Sequence, residues 1–311
     1  MKNLIQWGGK HRVLIADDEP DVHAVTKLSL KALSRKCGPV EFLSAHSGKQ
    51  ALELLEQYPD IGLILLDVVM ESDRAGLDVC QAIRNDLGNS LVRILMRTGQ
   101  PGIAPEQQTI DTYDIDGYLA KSETSASRLY TAARCALKSY QELVTLERHR
   151  AYLTAVSDCS MALNADMSSE RMLTMVLSTT LSICPAPLVA LDLETFEQSQ
   201  GTRRTFLHLG SGGTPTENAL AAEAARMRIQ GVLATQRITG PTVLDNGFLI
   251  PLELHRELGY GWLYLDAFTP DELAKKTLTL LAGHAQNAIY ASLALSALRD
   301  RKSTVFDEIS I

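Results

Sequence analysis

Short apolar runs recur along the first 120 residues, each followed by a stretch with helical spacing. The runs are Arg12–Ala16, Val40–Ala45, Ile61–Asp67, Leu91–Met96 and Ile115–Ala120. Helices are predicted to begin near Pro20, Ser47, Ala75, Pro105 and Thr124. Ser47-Gly48-Lys49-Gln50 has capping-box spacing, with Ser47 as N-cap and Gln50 reaching back. Strand and helix in strict alternation predict a doubly wound, five-stranded parallel sheet. In that architecture the carboxyl ends of adjacent strands converge on one crevice.

The residues at those ends share a chemistry. Asp17 and Asp18 follow the first run, Asp67 closes the third, Thr98 lies just past the fourth and Lys121 just past the fifth. Crowded carboxylates are costly to keep ionised without a cation, and an all-oxygen set suits Mg²⁺. A carboxylate can also attack a phosphoryl donor, which splits a difficult transfer into two steps. The remaining need is neutralisation of the phosphoryl oxygens, a task for Mg²⁺ and Lys121. Asp17 and Asp18 also precede Pro20, where a carboxylate suits a helix start.

In these positions Arg12 to Arg134 resembles the receiver domain of bacterial two-component response regulators. The resemblance implies a flavodoxin-like fold and a phosphoryl group accepted by Asp67 from a sensor histidine kinase or phosphotransfer protein. It implies that Asp18 ligates Mg²⁺ directly and that Asp17 does so through water or as a second ligand. Asp67 and the backbone carbonyl of Val69 complete the implied set. Thr98 would hydrogen-bond the phosphoryl group, Lys121 would pair with it, and Tyr118 would be the switch aromatic answering Thr98. The chain departs from the family in having Ser122 after Lys121, and Met70-Glu71 where Met-Pro is common. Gly99-Gln100-Pro101-Gly102, with Pro105, predicts a late or short fourth helix. Two alternatives stand beside this reading. One is a phosphorylation-independent receiver acting as a scaffold. The other is a Mg²⁺-dependent phosphatase with an Asp nucleophile, which would carry a second Asp where this chain has Val69.

No Pro or Gly interrupts Thr124 to Asn164, so one helix can run through a domain boundary. Leu129, Ala133, Ala136, Tyr140 and Leu143 form a seam, resumed at Leu146, Leu153, Val156 and Leu163. The seam suits a parallel homodimer, joined by Ala285, Ala288, Ile289, Leu293 and Leu295 of the terminal helix. Equally, each half of it can lie on its own domain. Further strands are predicted at Leu188–Leu193, Thr205–Leu209, Phe248–Leu254 and Gly261–Leu265. Thr214-Pro215-Thr216-Glu217 and Thr269-Pro270-Asp271-Glu272 each read as N-cap, first-turn Pro and capping Glu. From its order and pattern, Ala151 to Arg299 resembles a GAF-like α+β domain of unknown function that follows receivers in some bacterial regulators. That resemblance implies an HD-GYP or other output domain next in many relatives. The expected division is a receiver over 1–134, a helical linker over 135–165 and a GAF-like sensory or dimerisation domain over 166–311.

Composition narrows the classes. The 311 residues carry a net charge of -7 with no basic half, so a general grip on nucleic acid is unsupported. No apolar run reaches membrane-spanning length and Met1–Gly9 lacks a signal-peptide core, which predicts a cytoplasmic protein. Cys37, Cys80, Cys135, Cys159 and Cys184 are odd in number and widely spaced, the pattern of free thiols. Gly210-Ser211-Gly212-Gly213 lacks a P-loop ending and reads as a turn. His208, His255 and His284 lack metal-ligand spacing. No His-Asp pair, Gly-Gly-Asp-Glu-Phe or Glu-Ala-Leu motif occurs. The chain is therefore expected to be a phosphoacceptor catalysing its own phosphorylation and hydrolysis, not an enzyme. A small-molecule ligand in the GAF-like domain would need more than the fold to support it.

Overall fold

Five parallel strands form the first sheet of the computed structural model: β1 (His11–Ala16), β2 (Val40–Ala45), β3 (Ile61–Asp67), β4 (Arg93–Thr98) and β5 (Gly117–Ala120). Their order is β2-β1-β3-β4-β5, the flavodoxin-like order, with its switch point between β1 and β3. The structure describes residues 10–99, 106–122, 124–163, 168–197, 201–254 and 259–309. The chain divides into two units, Met1–Arg148 and His149–Ile311.

Every residue of β3 is buried, as expected of a central strand covered on both faces. On one face Val13, Ile15, Leu63, Leu65, Leu95 and Leu119 form a core with Leu129, Ala133, Ala136 and Leu137 of the long helix. The other face carries Leu14, Leu66, Met96 and Tyr118, clustered with Ala51 and Leu55, and with Leu77 and Val79. The main helices that pack in this unit are α1 (Pro20–Leu30), α2 (Gly48–Gln57), α3 (Ala75–Gln81), α4 (Glu106–Tyr113) and the first part of α5 (Ala126–Leu163). Eight residues make α4 short, as the Gly- and Pro-rich stretch before it predicts; Gln100–Pro105 lie outside the described residues.

Strand ends differ from the pattern where side chains compete for the backbone. β4 starts at Arg93 because the Asn89 side chain accepts from Leu91 and Val92 N–H at 3.1 and 3.0 Å. β5 starts at Gly117, after Asp114 turns the chain with a φ of 50°. Half of the capping box forms at α2. Ser47 Oγ accepts from Gln50 N–H, but the Gln50 side chain accepts from His46 N–H at 2.7 Å. The Gly48 N–H goes instead to the Glu71 carboxylate, 2.9 Å away.

The helical seam is largely consumed inside each unit, the second of the two arrangements that its pattern allows. Leu129, Ala133, Ala136 and Tyr140 are buried in the first unit, and Val156 and Leu163 in the second. Leu143 is half-buried, whereas Leu146 and Leu153 are exposed. Ala285 and Ile289 likewise belong to the second unit's own core, with Ala288 and Leu293 packed against it. The side chain of Leu295 lies outside the described residues.

In the second unit, α6 (Ser169–Ile183) precedes β6 (Leu188–Glu197) and β7 (Gly201–Gly210). Next come α7 (Pro215–Thr235), β8 (Thr242–Leu244), β9 (Gly247–Glu253), β10 (Gly259–Asp266) and α8 (Glu272–Ile309). The strands make one antiparallel sheet in the order β7-β6-β10-β9-β8. Alternation sorts its faces. Val189, Leu191, Leu263 and Leu265 cluster with α6, α8 and the end of α5, and Leu188, Ala190, Trp262 and Tyr264 with Ala222, Ala225 and Ile229 of α7. The sequence reading assigned neither α6 nor β8; three residues are too few for alternation to mark β8. Thr214 and Glu217 make the full capping box of α7. At α8 the capping oxygen comes from Asp271, which accepts from Ala274 N–H at 2.9 Å, and not from Thr269.

Candidate functional site

Parallel register sets Ala16 beside Leu66, so Asp17 and Asp67 leave adjacent strands side by side at the switch point. Both are buried, with 2% and 5% exposure. Lys121, just beyond β5, reaches back across the crevice. Its Nζ lies 2.7 Å from Asp67 Oδ2, 2.9 Å from Asp17 Oδ2 and 3.3 Å from Glu19 Oε1. Asp67 Oδ1 is buried with no hydrogen-bond partner among the described residues.

The electrostatics follow from this crowding. Burial pushes the Asp67 carboxyl above its ordinary range, against the pull of the Lys121 hydrogen bond and charge. Burial also works against the Lys121 ammonium, but hydrogen bonds to Asp67 and Asp17 outweigh it and raise Lys121 to about 12. The ammonium is the internal counter-ion of two buried acids. Burying such acids without a partner would be strongly unfavourable.

The surrounding backbone holds the acids in place. Asp17 Oδ1 accepts from Glu19 N–H at 3.1 Å, and the Asp17 carbonyl lies 2.8 Å from His23 Nε2 on α1. Gly76 N–H donates to the Val68 carbonyl at 3.0 Å. A Cβ at Gly76 would stand 2.0 Å from the Asp67 carbonyl oxygen, so only glycine permits this approach.

Thr98 is fully buried, and its carbonyl accepts the Lys121 N–H at 2.7 Å. Tyr118 is buried on the opposite sheet face from the Lys121 pairing, in register with Met96, two residues before Thr98. Val69 is half-buried in the loop that follows Asp67.

Asp17, Glu19 and Asp67 can bring one carboxylate oxygen each within 4.8 Å of one another. Asp18 is exposed and lies outside that grouping. Asp17 follows the last residue of β1, the chain bends at the exposed Asp18, and Glu19 is the N-cap of α1. Glu19 was not singled out in the sequence, although Asp-Asp-Glu ahead of Pro20 was the available signal. Three convergent carboxylates with an unpartnered buried oxygen fit a hard, oxygen-seeking cation.

The other tempting motifs do not assemble. Among the described residues no comparable group of metal-ligating side chains forms in the second unit. His284 Nδ1 pairs with Ser160 Oγ at 3.1 Å, and His255 lies outside the described residues. Gly213, with a φ of 78°, turns the chain into the Thr214 cap. Among the described residues no helix is long and apolar enough to cross a membrane.

Comparison with known proteins agrees with this geometry. The model of the response regulator receiver domain matches residues 13–134. The chain is 36% identical over 171 residues to the 3'3'-cGAMP-specific phosphodiesterase 2 of Vibrio cholerae, covering 55% of this chain and 33% of that protein. It is 34% identical over 104 residues to a probable cyclic di-GMP phosphodiesterase of the same organism, covering 33% and 22%. The chain thus spans a third or less of the curated relatives it matches. A solved receiver domain protein of Clostridium thermocellum aligns at 20% identity with a TM-score of 0.37, over 43% of this chain and 98% of that one. Both curated relatives are named as phosphodiesterases, which overturns the expectation of a phosphoacceptor with no enzymatic role. Strand order, acidic crevice and family match together identify residues 13–134 as the receiver domain of a two-component response regulator.

Proposed function

We propose that Asp67 accepts a phosphoryl group from a histidine kinase or phosphotransfer protein and that the receiver thereby controls cyclic-dinucleotide hydrolysis. The observation that carries this reading is the buried Asp67, one oxygen held by Lys121 at 2.7 Å and the other unpartnered. An Asp67 oxygen attacks phosphorus, the bond from phosphorus to the donor imidazole breaks, and the imidazole leaves. Lys121 then follows the charge onto the phosphoryl oxygens, and Thr98 donates its hydroxyl to them. Asp17, Glu19 and Asp67 would hold Mg²⁺, with Asp18 and the Val69 carbonyl as the further ligands that the receiver resemblance implies. Bound there, Mg²⁺ supplies neutralisation of the phosphoryl oxygens.

The hydrolytic side of the proposal rests on the names of the two Vibrio cholerae relatives. The second unit, an antiparallel sheet between helical layers, serves in this reading as a GAF-like relay between receiver and output. Exposed Leu146 and Leu153, one heptad apart on α5, offer a stripe for pairing with a second copy. Incubation with acetyl phosphate and Mg²⁺ should add one hydroxylamine-labile phosphoryl group, lost in Asp67→Asn. Equal labelling of that variant would place the acceptor elsewhere. In the full natural reading frame, phosphorylation should change the rate of 3'3'-cGAMP hydrolysis; an unchanged rate would remove the regulatory half.

A further inference from the structure

A second cation stands beside the acceptor. Arg97 on β4 is the register partner of Asp67, and its carbonyl accepts the Val68 N–H at 3.2 Å. Side chains paired across a parallel ladder share a sheet face. Arg97 therefore lies in the row of Asp17 and Asp67, on the face built by Leu63, Leu65, Leu95 and Leu119. An apolar residue would suit that face better. The guanidinium instead reaches α1, where Nη1 donates to the buried Thr26 Oγ1 at 2.7 Å, while Nε is buried with no partner. Burial lowers the Arg97 pKa, and the charges of Asp17 and Asp67 act the other way.

We propose that Arg97 is a second phosphoryl-binding cation of this receiver, held in reserve by Thr26 and turned to the phosphoryl oxygens once Asp67 is modified. This inference rests on Asp67 being the acceptor. Three features support it. In the resting state Lys121 is spent on Asp67, Asp17 and Glu19, so one ammonium serves three acids. A phosphoryl group adds roughly two negative charges to that crevice. Among the described residues the planar guanidinium has an unpartnered N–H and a single side-chain hydrogen bond, which leaves it donors to give. A purely structural arginine would have its N–H groups satisfied where they are buried.

The test uses Mg²⁺ with beryllium fluoride as the phosphoryl mimic, titrated calorimetrically into the whole protein. The parent chain should bind the mimic and Asp67→Asn should not; failure of that pair removes the acceptor reading itself. Given that pair, Arg97→Met should bind it roughly 10- to 100-fold more weakly, the loss expected of a charged hydrogen bond. Arg97→Lys, which keeps the charge, should recover part of the affinity. Thr26→Val, which removes only the resting partner, should bind at least as tightly as the parent. Parental affinity in Arg97→Met would overturn the proposal. Should Arg97→Met fail to fold, Arg97→Lys and Thr26→Val decide: parental affinity in the first, or a tenfold loss in the second, overturns it equally.

Discussion

The ring of Tyr140 on α5 occupies the space that a side chain at Gly62 on β3 would need, with a Cβ there only 2.6 Å from Tyr140 Cδ1. Tyr140 is among the largest fully buried side chains, and its hydroxyl lies 3.4 Å from the Asp60 carbonyl. The contact fixes the long helix against the amino end of the central strand, the end opposite the acidic crevice. It also fixes where α5 leaves the receiver.

Gly62→Ala should therefore destabilise the first unit by roughly 1–3 kcal/mol, the usual cost of overpacking a filled site. Tyr140→Ala should cost about 3–5 kcal/mol through the cavity it leaves. In the double variant the two losses should fall short of their sum, because the added methyl enters the vacated space. Urea unfolding followed by circular dichroism measures all three.

Lys121→Met should destabilise the receiver by roughly 3–5 kcal/mol at pH 7, since it strands Asp17 and Asp67 as buried charges. The pH dependence should have a defined sign. Burial raises the Asp67 pKa above the unfolded value of 3.8, so the folded state binds the proton more tightly. Stability of Lys121→Met should rise as the pH falls from 7 toward 5, whereas added Mg²⁺ should raise it at pH 7. Thermal melts across that range check both directions.

Thr98 and Tyr118 lie on one face of neighbouring strands, two positions apart in register. When Thr98 moves toward a phosphoryl group it should release space into which Tyr118 turns. A fluorotyrosine at Tyr118 should shift its ¹⁹F resonance on adding beryllium fluoride with Mg²⁺. Thr98→Ala should still bind the mimic but show little of that shift. A parental shift in the variant would uncouple the two residues.

Cys135 is exposed, whereas Cys80 is buried and its thiol is pushed up to about 12 by burial. Burial raises Cys159 and Cys37 as well. The thiolate is the reactive form. Under native conditions at pH 8, one fast equivalent of a thiol reagent should be consumed, mapping to Cys135 by peptide mass. Cys80 and Cys159 should react only on unfolding.

If α5 pairs with a second copy, Leu146→Lys with Leu153→Lys should give a monomer by light scattering where the parent is a dimer. Both side chains are exposed in the single chain, so the change should leave its melting temperature within a few degrees. A monomeric parent at tens of micromolar would remove the pairing.

The sequence by itself determined the elements and the chemistry at their ends. Period-two and period-3.6 patterns are local, so the strands from Val40 to Ala45 and from Ile61 to Asp67 were legible to the residue. Asp17, Asp67, Thr98 and Lys121 were legible because strand ends in an open parallel sheet meet at one crevice. Tertiary structure decided what depends on direction and neighbours. The bend after Ala16 brought Glu19 to Lys121, and register put Arg97 beside Asp67. The helical seam was equally visible in the sequence, but its partner was not. An apolar stripe satisfies the same pattern against its own sheet or against a twin, and only the fold assigned Tyr140 to Gly62. Periodicity fixes which residues share a face; three-dimensional packing fixes what that face meets.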